Sequence, residues 1–457
     1  MAPRQGTPLT RPSAIVLGGG LAGMAAAYSL ARSGVGEVTL VERSAELGGL
    51  AGTFEQGGHF YPLAYHHILH RDNTLLYFLE RIGALSRVRW RKIRLLFHLD
   101  EALWDLAHPV DFLRFPMSAA DKFRFVRLML RAFRKTDWSE WQDHDAAELV
   151  DRWAGPGVRR AIFERLCRLK FDLPCAEVSA AWLGARLHFR EGSAPLGYVP
   201  GSNWTKILCE GVTGLLEQAG VRLLTKTAAV RLHAEGERIR EVELSSGDRL
   251  GADLFVSTVP TPVYLKMIHD ASTPRLGSIR YTAVISAVCA TRQEVRPDFY
   301  WMNFATLDCS ASGLFRLESL NPSIGGPGET CLNFVTHLPS RDEPLFHASD
   351  EELLAAYGRD FRRVFGQSLE PFWAHVSRLP LYSPVFGKGF HNPPVRSATW
   401  SNVYFAGNYR TFPSIASTGT ALGSGLETAA AILGDHAQKS DLLDVAAAFR
   451  LPSMPRA

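Results

Sequence analysis

Three consecutive segments decide the fold: Ala14-Ile-Val-Leu17, Gly18-Gly-Gly20-Leu-Ala-Gly23 and Met24-Ala-Ala-Ala-Tyr-Ser-Leu-Ala-Arg32. The first is a short apolar run typical of a buried strand, the second is a G-x-G-x-x-G loop, and the third is rich in helix formers. In this layout the first glycine permits a tight turn, the second lets backbone approach a pyrophosphate, and the third allows helix and sheet to pack closely. The N-terminus of the helix then faces the phosphates. The pattern therefore predicts a dinucleotide-binding β-α unit.

A second apolar run, Glu37-Val-Thr-Leu-Val-Glu42, ends in an acid 19 residues after Gly23. A carboxylate at this position can accept hydrogen bonds from the ribose of a bound dinucleotide. A lone glycine pattern is weak evidence, but strand, glycines, helix, strand and acid in this order are a specific fingerprint. The uncharged run from Pro12 to Ala31 is long enough to cross a bilayer, yet its glycines favour strand, turn and helix over a transmembrane span.

The composition of the 457-residue chain excludes several classes of protein. Its 50 Lys and Arg against 46 Asp and Glu give a formal charge of +4, which provides no basic field for nucleic acid. The six cysteines form no C-x-x-C pair and no zinc-site spacing, which predicts reduced thiols in a cytoplasmic protein, without disulfides or bound metal. The polar segment from Met1 to Arg11 lacks an apolar signal stretch and is expected to be a short disordered lead-in.

A second glycine loop, Arg43-Ser-Ala-Glu-Leu-Gly48-Gly49-Leu-Ala-Gly52-Thr53, follows the acid at a point where an ordinary NAD domain begins another helix. Three further blocks follow in order: the run from Gly220 to Leu232, the returning strand Asp253-Leu-Phe-Val-Ser-Thr-Val-Pro260, and Val403-Tyr-Phe-Ala-Gly407-Asn408 with a helix after it. In these blocks the chain resembles the flavin-binding amine oxidase and desaturase superfamily. That superfamily includes protoporphyrinogen oxidase, phytoene desaturases, monoamine oxidases and, more distantly, UDP-galactopyranose mutase.

The resemblance implies an α/β fold, in which a Rossmann-like FAD-binding domain of the GR2 flavoprotein type is interleaved with an α+β substrate domain whose mixed sheet is covered by helices. It also implies that FAD is the cofactor. The residues that the family pattern assigns to FAD are Gly18, Gly20, Leu21, Ala22, Gly23, Glu42, Arg43, Gly48, Gly49, Val230, Gly407, Asn408, Thr418 and Ala421. The backbone of Val230 would contact the adenine.

The closing flavin motif departs from the family at one position. The family usually has an acid after the glycine, and this chain has Asn408, whose amide can still hydrogen-bond a ribityl hydroxyl. No cysteine lies beyond Cys331, so the C-terminal cysteine that carries covalent flavin in monoamine oxidases is absent. FAD is therefore expected to be noncovalent. The segment from Pro413 to Ile432 predicts a helix that is capped by Ser417 or Thr418, and the family layout directs its N-terminus at the pyrimidine edge of the flavin. The helix dipole would stabilise charge there by about 1 kcal/mol.

Two insertions separate the flavin blocks. The first is helical, with a capping box at Ser118-Ala-Ala-Asp121 and with Phe123, Val126, Leu130 and Phe133 on one face of an amphipathic helix among several cations. The second alternates strand-like runs such as Tyr281 to Val288 and Thr330 to Thr336. The predicted FAD domain comprises residues 1–100, 201–270 and 385–457, and the substrate domain comprises residues 101–200 and 271–384.

Candidates for chemistry are few, and no catalytic residue is assigned. The family oxidises substrates chiefly by holding a carbon against the flavin ring, so a dedicated base need not exist. The segment Tyr65-His66-His67-Ile-Leu-His70 follows the second glycine loop, and its interpretations are structural, substrate-contacting or, less favoured because no Glu accompanies the pair His66 and His70, metal-binding. Tyr409 follows the flavin motif and would either wall the substrate side of the ring or lie in the core.

The segment from Arg87 to Phe97 alternates cations with apolar residues, which favours a strand with one wet, basic face. The alternative is a basic, aromatic patch for an anionic substrate or for peripheral contact with anionic lipid. No second nucleotide fingerprint is found, so a small-molecule substrate itself is expected to reduce the flavin. No oligomeric state is predicted.

Three functions compete. The first is an FAD-dependent oxidase or desaturase that acts on a hydrophobic ring or polyene, with oxygen or another acceptor restoring the flavin. The second is a flavin-dependent sugar-nucleotide isomerase similar to UDP-galactopyranose mutase. The third is a flavin-binding partner protein without catalysis, and amine oxidation is a further alternative. The state of the flavin after turnover would distinguish the first from the second.

Overall fold

The computed structural model describes residues 11–189, 195–268, 274–305 and 308–435. The strands, in chain order, are β1 (Ala14–Leu17), β2 (Val38–Val41), β3 (Thr53–Gln56), β4 (His59–Pro62), β5 (Arg89–Arg91), β6 (Leu95–Leu99), β7 (Ala102–Trp104), β8 (Leu196–Tyr198), β9 (Arg222–Leu224), β10 (Ala229–Glu235), β11 (Arg238–Leu244), β12 (Arg249–Gly251), β13 (Leu254–Ser257), β14 (Tyr281–Thr291), β15 (Trp301–Phe304), β16 (Gly313–Arg316), β17 (Thr330–Leu338), β18 (Trp373–Pro384) and β19 (Val403–Phe405). The helices are α1 (Leu21–Arg32), α2 (Asn73–Arg81), α3 (Pro109–Arg114), α4 (Ala119–Arg134), α5 (Ala146–Trp153), α6 (Pro156–Val158), α7 (Glu164–Phe171), α8 (Ala180–Phe189), α9 (Trp204–Gln218), α10 (Thr261–Met267), α11 (Pro274–Gly277), α12 (Leu317–Leu320), α13 (Asp350–Phe365) and α14 (Thr418–Asp435). The expected lead-in lies outside these residues except for Arg11.

A five-stranded parallel sheet forms the centre of the predicted FAD domain, with the strand order β19-β13-β1-β2-β9. Strands β1 and β2 are buried at every position, as their uninterrupted apolar runs predict for a sheet covered on both faces. Helix α1 crosses between them and packs against α14. A Cβ placed on Gly425 of α14 would lie 2.1 Å from the carbonyl oxygen of Ala22, so the small residues let the two helices touch backbone to backbone. The predicted α/β fold class is confirmed.

A seven-stranded mixed sheet forms the second layer, with the order β18-β14-β17-β16-β15-β6-β7. Both predicted runs of the second insertion are strands, and β14 pairs antiparallel with β17 and β18. Strand β6 pairs in parallel with β15 in this sheet, although the predicted boundary at residue 100 places it with the FAD segments. Strand β6 is therefore part of the large sheet, and the predicted domain bounds stay a prediction.

The basic alternating segment is two strands rather than the single predicted strand. Strand β5 pairs with β8 in a separate two-stranded ribbon, whereas β6 joins the large sheet. The chain leaves one sheet and enters the other around Arg94, whose Nε donates to Asp105 Oδ2 at 3.1 Å. The basic residues Arg89 and Arg91 of β5 are exposed as predicted, but Trp90 between them is exposed as well, so β5 has no buried apolar face.

The first insertion is helical, as predicted, and Ser118 caps α4 by accepting a hydrogen bond from the backbone N–H of Asp121 at 3.1 Å. The apolar stripe of α4, formed by Phe123, Val126, Leu130 and Phe133, lies on the side of the helix that faces away from the core. Leu128 and Ala132 are fully buried, whereas Phe123 is 70% exposed. The helix is amphipathic, but its buried side contains Leu128 and Ala132 rather than the residues of the stripe.

All six cysteines carry free thiols, and the sulfurs of Cys167 and Cys175 approach to 3.3 Å. Within the described residues, no helix combines the length and apolarity needed to cross a bilayer.

Candidate functional site

The two glycine loops meet at the carboxyl edge of the parallel sheet. The backbone N–H of Gly48 donates to the carbonyl oxygen of Gly19 at 2.8 Å, and Gly20 forms an isolated β-bridge with Gly48. Helix α1 begins directly after Gly20 and has no side-chain cap, so its first N–H groups have no side-chain acceptor. An uncapped helix start between two glycine loops is an arrangement that accepts phosphate oxygens.

The glycines of the first loop are needed for three different reasons. Gly18 has a φ of +106°, a backbone conformation that few other residues adopt. A Cβ on Gly23 would lie 1.9 Å from the carbonyl oxygen of Gly18, so this glycine sets the packing of α1 on the sheet. A Cβ on Gly20 would meet nothing nearer than Gly49 Cα at 4.0 Å. Neither the protein backbone nor its packing demands glycine at position 20, and the open space beside it fits a bound pyrophosphate.

Glu42 lies at the end of β2, is 9% exposed, and holds the two loops in register. Its Oε2 accepts the N–H of Gly19 at 2.7 Å, and its Oε1 accepts the N–H of Ser44 at 2.8 Å. Charge-assisted bonds of this kind fix the carboxylate, and its remaining lone pairs are free to accept ribose hydroxyls. This is the position that the fingerprint predicts for a ribose-binding acid.

We expect Glu42→Gln to weaken FAD binding by about 1 to 3 kcal/mol, which is roughly 5- to 150-fold in Kd. A glutamine side chain keeps one oxygen acceptor. Its NH₂ group, however, would face the backbone N–H of Gly19 or Ser44, each of which now donates a hydrogen bond to Glu42. Titration of FAD into the apoprotein, followed by flavin fluorescence, measures the change. Glu46→Gln is the matched control, because Glu46 is exposed and pairs with Lys206 at 3.2 Å. An unchanged Kd for Glu42→Gln would show that the carboxylate does not serve the ribose.

Not all of the predicted FAD residues join this cluster. Leu21 and Ala22 lie in the first turn of α1, and Gly49, with a φ of +56°, lies against Gly20. Arg43 is exposed beside Glu42. Val230 lies in β10, in a separate three-stranded sheet, with its side chain 43% exposed.

The segment before Val230 is joined to the end of β2 by two backbone hydrogen bonds. The N–H of Thr227 donates to the carbonyl oxygen of Glu42, and the N–H of Lys226 donates to that of Ser44, both at 2.9 Å. The assignment of Val230 to the adenine stays a prediction.

The closing motif places Asn408 between the two sheets. Gly407 has a φ of +139°, and its N–H donates to Ser424 Oγ of α14 at 2.9 Å. The Asn408 amide donates to the carbonyl oxygen of Tyr382, in β18, at 3.4 Å. Asn408 therefore contacts the seven-stranded sheet directly.

The start of α14 is tied to a residue that sequence reasoning missed. Ser417 caps the helix by accepting the N–H of Thr420 at 3.2 Å, as predicted, while Thr418 and Ala421 lie in the first turn. Asp72 caps α2 through Leu75 and also accepts a backbone hydrogen bond from Gly419. A Cβ on Gly419 would lie 1.5 Å from Asp72 Oδ1, so only glycine fits there. Burial raises the pKa of the Asp72 carboxyl to about 6.

Tyr409 belongs to the core. It is 1% exposed, its hydroxyl donates to the carbonyl oxygen of Ser257 at 3.3 Å, and it packs in one cluster with Tyr264 and Phe405. Of the two interpretations of Tyr409, the core aromatic is the one that fits this position.

The three histidines after the second glycine loop point to three different neighbours. His66 Nδ1 bonds to the carbonyl oxygen of Ala64 at 2.7 Å, His67 Nδ1 pairs with the Tyr300 hydroxyl at 3.0 Å, and the His70 ring stacks on Trp90. The segment is not helical, so the i, i+4 spacing of His66 and His70 does not place them together. Burial lowers the pKa of His66 to about 4, which keeps this ring neutral. A substrate contact of His66 stays a prediction.

A pair of cations lies deep between the helical insertion and the large sheet. Lys170 is on α7, Arg186 is on α8, and both side chains are only part exposed. Burial, with the charge of Arg186, lowers the pKa of Lys170 to about 7, and burial lowers the pKa of Arg186 as well. Neither cation has a carboxylate partner within the described part of the chain. An unneutralised pair of this kind is costly unless an anionic ligand joins it.

Aromatic and neutral groups surround these cations. The ammonium of Lys170 lies 5.5 Å from the ring centre of Tyr382, the same residue whose carbonyl oxygen accepts from Asn408. His337, on β17, has its ring centre 5.8 Å from that of Tyr382, and burial together with the two cations lowers its pKa. Tyr382 therefore lies between Lys170 and Asn408 of the closing motif. The other groups around the two cations are aromatic or neutral.

Sequence reasoning named neither cation, because the helical insertion contains many Lys and Arg. One signal was present: neither Lys170 nor Arg186 has an acid three or four residues away, whereas surface cations on helices often do. No group of three or more His, Cys, Asp or Glu side chains is placed to hold a metal ion in the described parts of the chain.

Comparison with known proteins identifies the family. The model of the flavin containing amine oxidoreductase family matches residues 21–433. The coproporphyrinogen III oxidase of Mycobacterium tuberculosis is 26% identical over 416 residues, which cover 83% of this chain and 88% of that protein. The protein of the same name from Mycobacterium bovis matches to the same extent.

Solved structures share the fold. A protein assigned as a protoporphyrinogen oxidase from Exiguobacterium sp. 255-15 has a TM-score of 0.76 at 19% identity, covering 93% of this chain and 99% of its own. Reduced UDP-galactopyranose mutase has a TM-score of 0.72 at 14% identity over 93% of this chain and 96% of its own. Putrescine oxidase bound to putrescine has a TM-score of 0.70 at 15% identity over 93% and 99%. The two glycine loops, the buried Glu42 between them and the match over nearly the whole described chain lead to one conclusion: the protein belongs to the flavin containing amine oxidoreductase family and is an FAD-dependent oxidoreductase.

Proposed function

We propose that the protein is an FAD-dependent oxidase that removes hydride from a cyclic, largely apolar substrate bearing carboxylates, of the porphyrinogen class. The observation that carries this proposal is the deep, unneutralised pair of Lys170 and Arg186 beside Tyr382 and Asn408. Carboxylates of a ring substrate would neutralise both cations and would fix the ring relative to the flavin. The relatives named coproporphyrinogen III oxidase support the same class of substrate.

The same pair disfavours two other functions of related proteins. Amine substrates are themselves cations near neutral pH, so Lys170 and Arg186 would repel them. A neutral polyene would leave both cations without a partner in an apolar wall. A sugar nucleotide fits the charge of the pair through its phosphates, and an FAD-dependent sugar-nucleotide isomerase is therefore the second candidate.

The bound flavin would accept the hydride and pass both electrons to oxygen or another acceptor. The part that we assign to Lys170 and Arg186 is binding and orientation of the substrate. Proximity of the substrate carbon to the flavin then supplies the main rate enhancement.

Anaerobic mixing of the holoenzyme with candidate reductants tests the proposal. We expect coproporphyrinogen, a tetracarboxylate, to bleach the flavin absorbance rapidly and saturably, and its methyl ester to do so far more slowly. Oxygen admitted afterwards should restore the oxidised spectrum. NADPH should bleach slowly, because no second dinucleotide fingerprint is present to orient a nicotinamide. Rapid, saturable bleaching by NADPH without bleaching by porphyrinogens would reject the oxidase and favour the isomerase.

A separate prediction concerns the attachment of the cofactor. Acid precipitation should release intact FAD into the supernatant, because no cysteine lies in the segment of the closing motif. Cys209 lies beside the second glycine loop: its sulfur is 2.7 Å from the place that a Cβ on Gly48 would occupy. That loop is expected to face the phosphates of FAD rather than the flavin ring. Flavin that stays with the denatured pellet would disprove noncovalent binding.

A further inference from the structure

Asp72 provides a carboxylate that two helices share. It precedes α2 and caps that helix by accepting the backbone N–H of Leu75 at 3.3 Å. The same carboxylate accepts the backbone N–H of Gly419, in the first turn of α14. Helix α2 is anchored to α1 as well, because Arg81 donates to the Tyr28 hydroxyl at 3.0 Å. The carboxylate is therefore held firmly at the start of α14.

The negative charge of Asp72 is not needed for capping. Asparagine and serine cap helices about as well as aspartate does, and neither carries a charge. Helix α14 also has a cap of its own in Ser417, which accepts the N–H of Thr420 at 3.2 Å. Burial raises the pKa of the Asp72 carboxyl to about 6, so the group is disfavoured as an anion but is still ionised at neutral pH. The charge therefore needs a reason other than helix capping.

The direction of α14 places its start at the carboxyl edge of the parallel sheet. The N–H of Gly407, just after β19, donates to Ser424 Oγ at 2.9 Å. The carbonyl oxygen of Phe405, the last residue of β19, accepts the Thr428 hydroxyl at 2.9 Å. A step forward along the strand is thus a step back along the helix, so α14 runs antiparallel to β19. Its N-terminus lies at the same edge of the sheet as the two glycine loops.

The strand order gives the direction in which bound FAD extends. Glu42, the predicted ribose acid, lies at the end of β2, and the start of α1, which the glycine pattern assigns to the pyrophosphate, follows β1. In the same direction the next strands are β13 and then β19. An extended dinucleotide that passes from β2 across β1 therefore brings its flavin half towards the end of β19, about 10 Å or two strand spacings further on. Asn408 and the start of α14 follow that strand.

We propose that Asp72 lowers the reduction potential of the bound flavin by acting at the start of α14. The positive end of a helix stabilises the negative charge that a flavin gains on reduction. Asp72 engages one N–H group of this helix end, that of Gly419, and adds a negative charge of its own. Both effects disfavour the reduced flavin. A lower potential makes the reduced flavin a stronger electron donor to oxygen or another acceptor. Asp72 is thus a positioning residue that acts through α14.

Reductive titration of the holoenzyme at neutral pH, against a dye of known potential, tests the proposal. We expect Asp72→Asn to raise the flavin potential and to shift the reduction equilibrium roughly tenfold towards the reduced form, which is about 30 mV for a two-electron couple. The amide keeps an oxygen that can cap α2, so the FAD content should stay stoichiometric. Asp72→Ser, which also provides a neutral cap, should shift the potential in the same direction. The measurement needs no substrate, so its outcome does not depend on the proposed function.

Asp145→Asn is the matched control. Asp145 caps α5, in the helical insertion, by accepting the N–H of Glu148 at 2.9 Å, and it pairs with Lys388. The same substitution at this cap should leave the flavin potential unchanged. An unchanged potential in Asp72→Asn protein that holds FAD would overturn the proposal, and so would an equal shift in Asp145→Asn. Loss of FAD from both Asp72→Asn and Asp72→Ser would also overturn it, because the carboxylate would then serve cofactor binding rather than the potential.

Discussion

Replacing Gly20 by valine should give a folded, colourless protein that retains no FAD. The residue has a φ of −69°, which a branched side chain can adopt, and a Cβ there meets no protein atom nearer than 4.0 Å. The valine would instead occupy the space into which the uncapped start of α1 opens, where the pyrophosphate has to approach the backbone. The ratio of flavin to protein absorbance after desalting measures the loss.

Two matched variants make this result specific. Gly358→Val, within α13, adds the same side chain at a position with no atom within 4 Å of the new Cβ, and it should keep both the fold and FAD. Gly23→Ala should behave differently, because its Cβ would lie 1.9 Å from the carbonyl oxygen of Gly18 and would disrupt the packing of α1 itself. Stoichiometric FAD in folded Gly20→Val protein would mean that the pyrophosphate lies elsewhere.

The double variant Lys170→Met/Arg186→Met should lower kcat/KM for a carboxylated ring substrate by about a hundredfold or more. Under the proposed function, each cation pairs with a substrate carboxylate in a poorly solvated wall. The fully esterified substrate should react with both proteins at similar rates. The melting temperature of the unliganded variant should rise, because two like charges are removed from a site with no described acid to neutralise them. A loss of activity with a gain of stability distinguishes a binding role from a structural one.

Lys388→Met is the control for the loss of a lysine charge. Lys388 is an exposed lysine that pairs with Glu148 at 2.6 Å and with Asp145 at 3.4 Å. Its replacement should leave kcat/KM unchanged. Equal losses of activity on the acid and the ester by Lys170→Met/Arg186→Met would contradict carboxylate binding.

The pH dependence follows from the lowered pKa of Lys170. Because that pKa is about 7 in the unliganded protein, Lys170 carries its charge below pH 7 and loses it above. Arg186, His337 and Tyr382 face the same space, and burial keeps the latter two neutral through this range. The value of kcat/KM for a carboxylated substrate should therefore fall as the pH rises through about 7. In Lys170→Arg this fall should move to much higher pH, since arginine stays charged.

The FAD half of the molecule was predictable because its determinants are local. The run from Ala14 to Arg32 specifies strand, turn and helix within a few residues, and Glu42 follows at a distance set by one helix and one strand. The order of the later blocks then places β13 and β19 in the same parallel sheet. Asn408 was found in the same way, from the motif that precedes it.

The substrate side was less predictable because long-range packing determines it. Lys170 and Arg186 lie near His337 and Tyr382 only once α7, α8 and the large sheet have assembled. The exposed stripe of α4 also shows that an apolar helical face need not be the buried one: Leu128 and Ala132 suffice to bury the other side. The periodicity of Phe123 to Phe133 predicts a helix correctly but does not reveal which side meets solvent.

The strand order β19-β13-β1-β2-β9 has a consequence for biosynthesis. Strand β1 is made first, but the sheet in which it lies is completed only by β19, and α1 is covered by α14, which ends at Asp435. At a translation rate of about 5 to 20 residues per second, roughly 20 to 80 s separate the synthesis of the first and last of these elements. Such high contact order makes the cofactor half slow to fold. The nascent chain must therefore keep an unpaired edge of β13 from aggregating until its own C-terminal segment arrives.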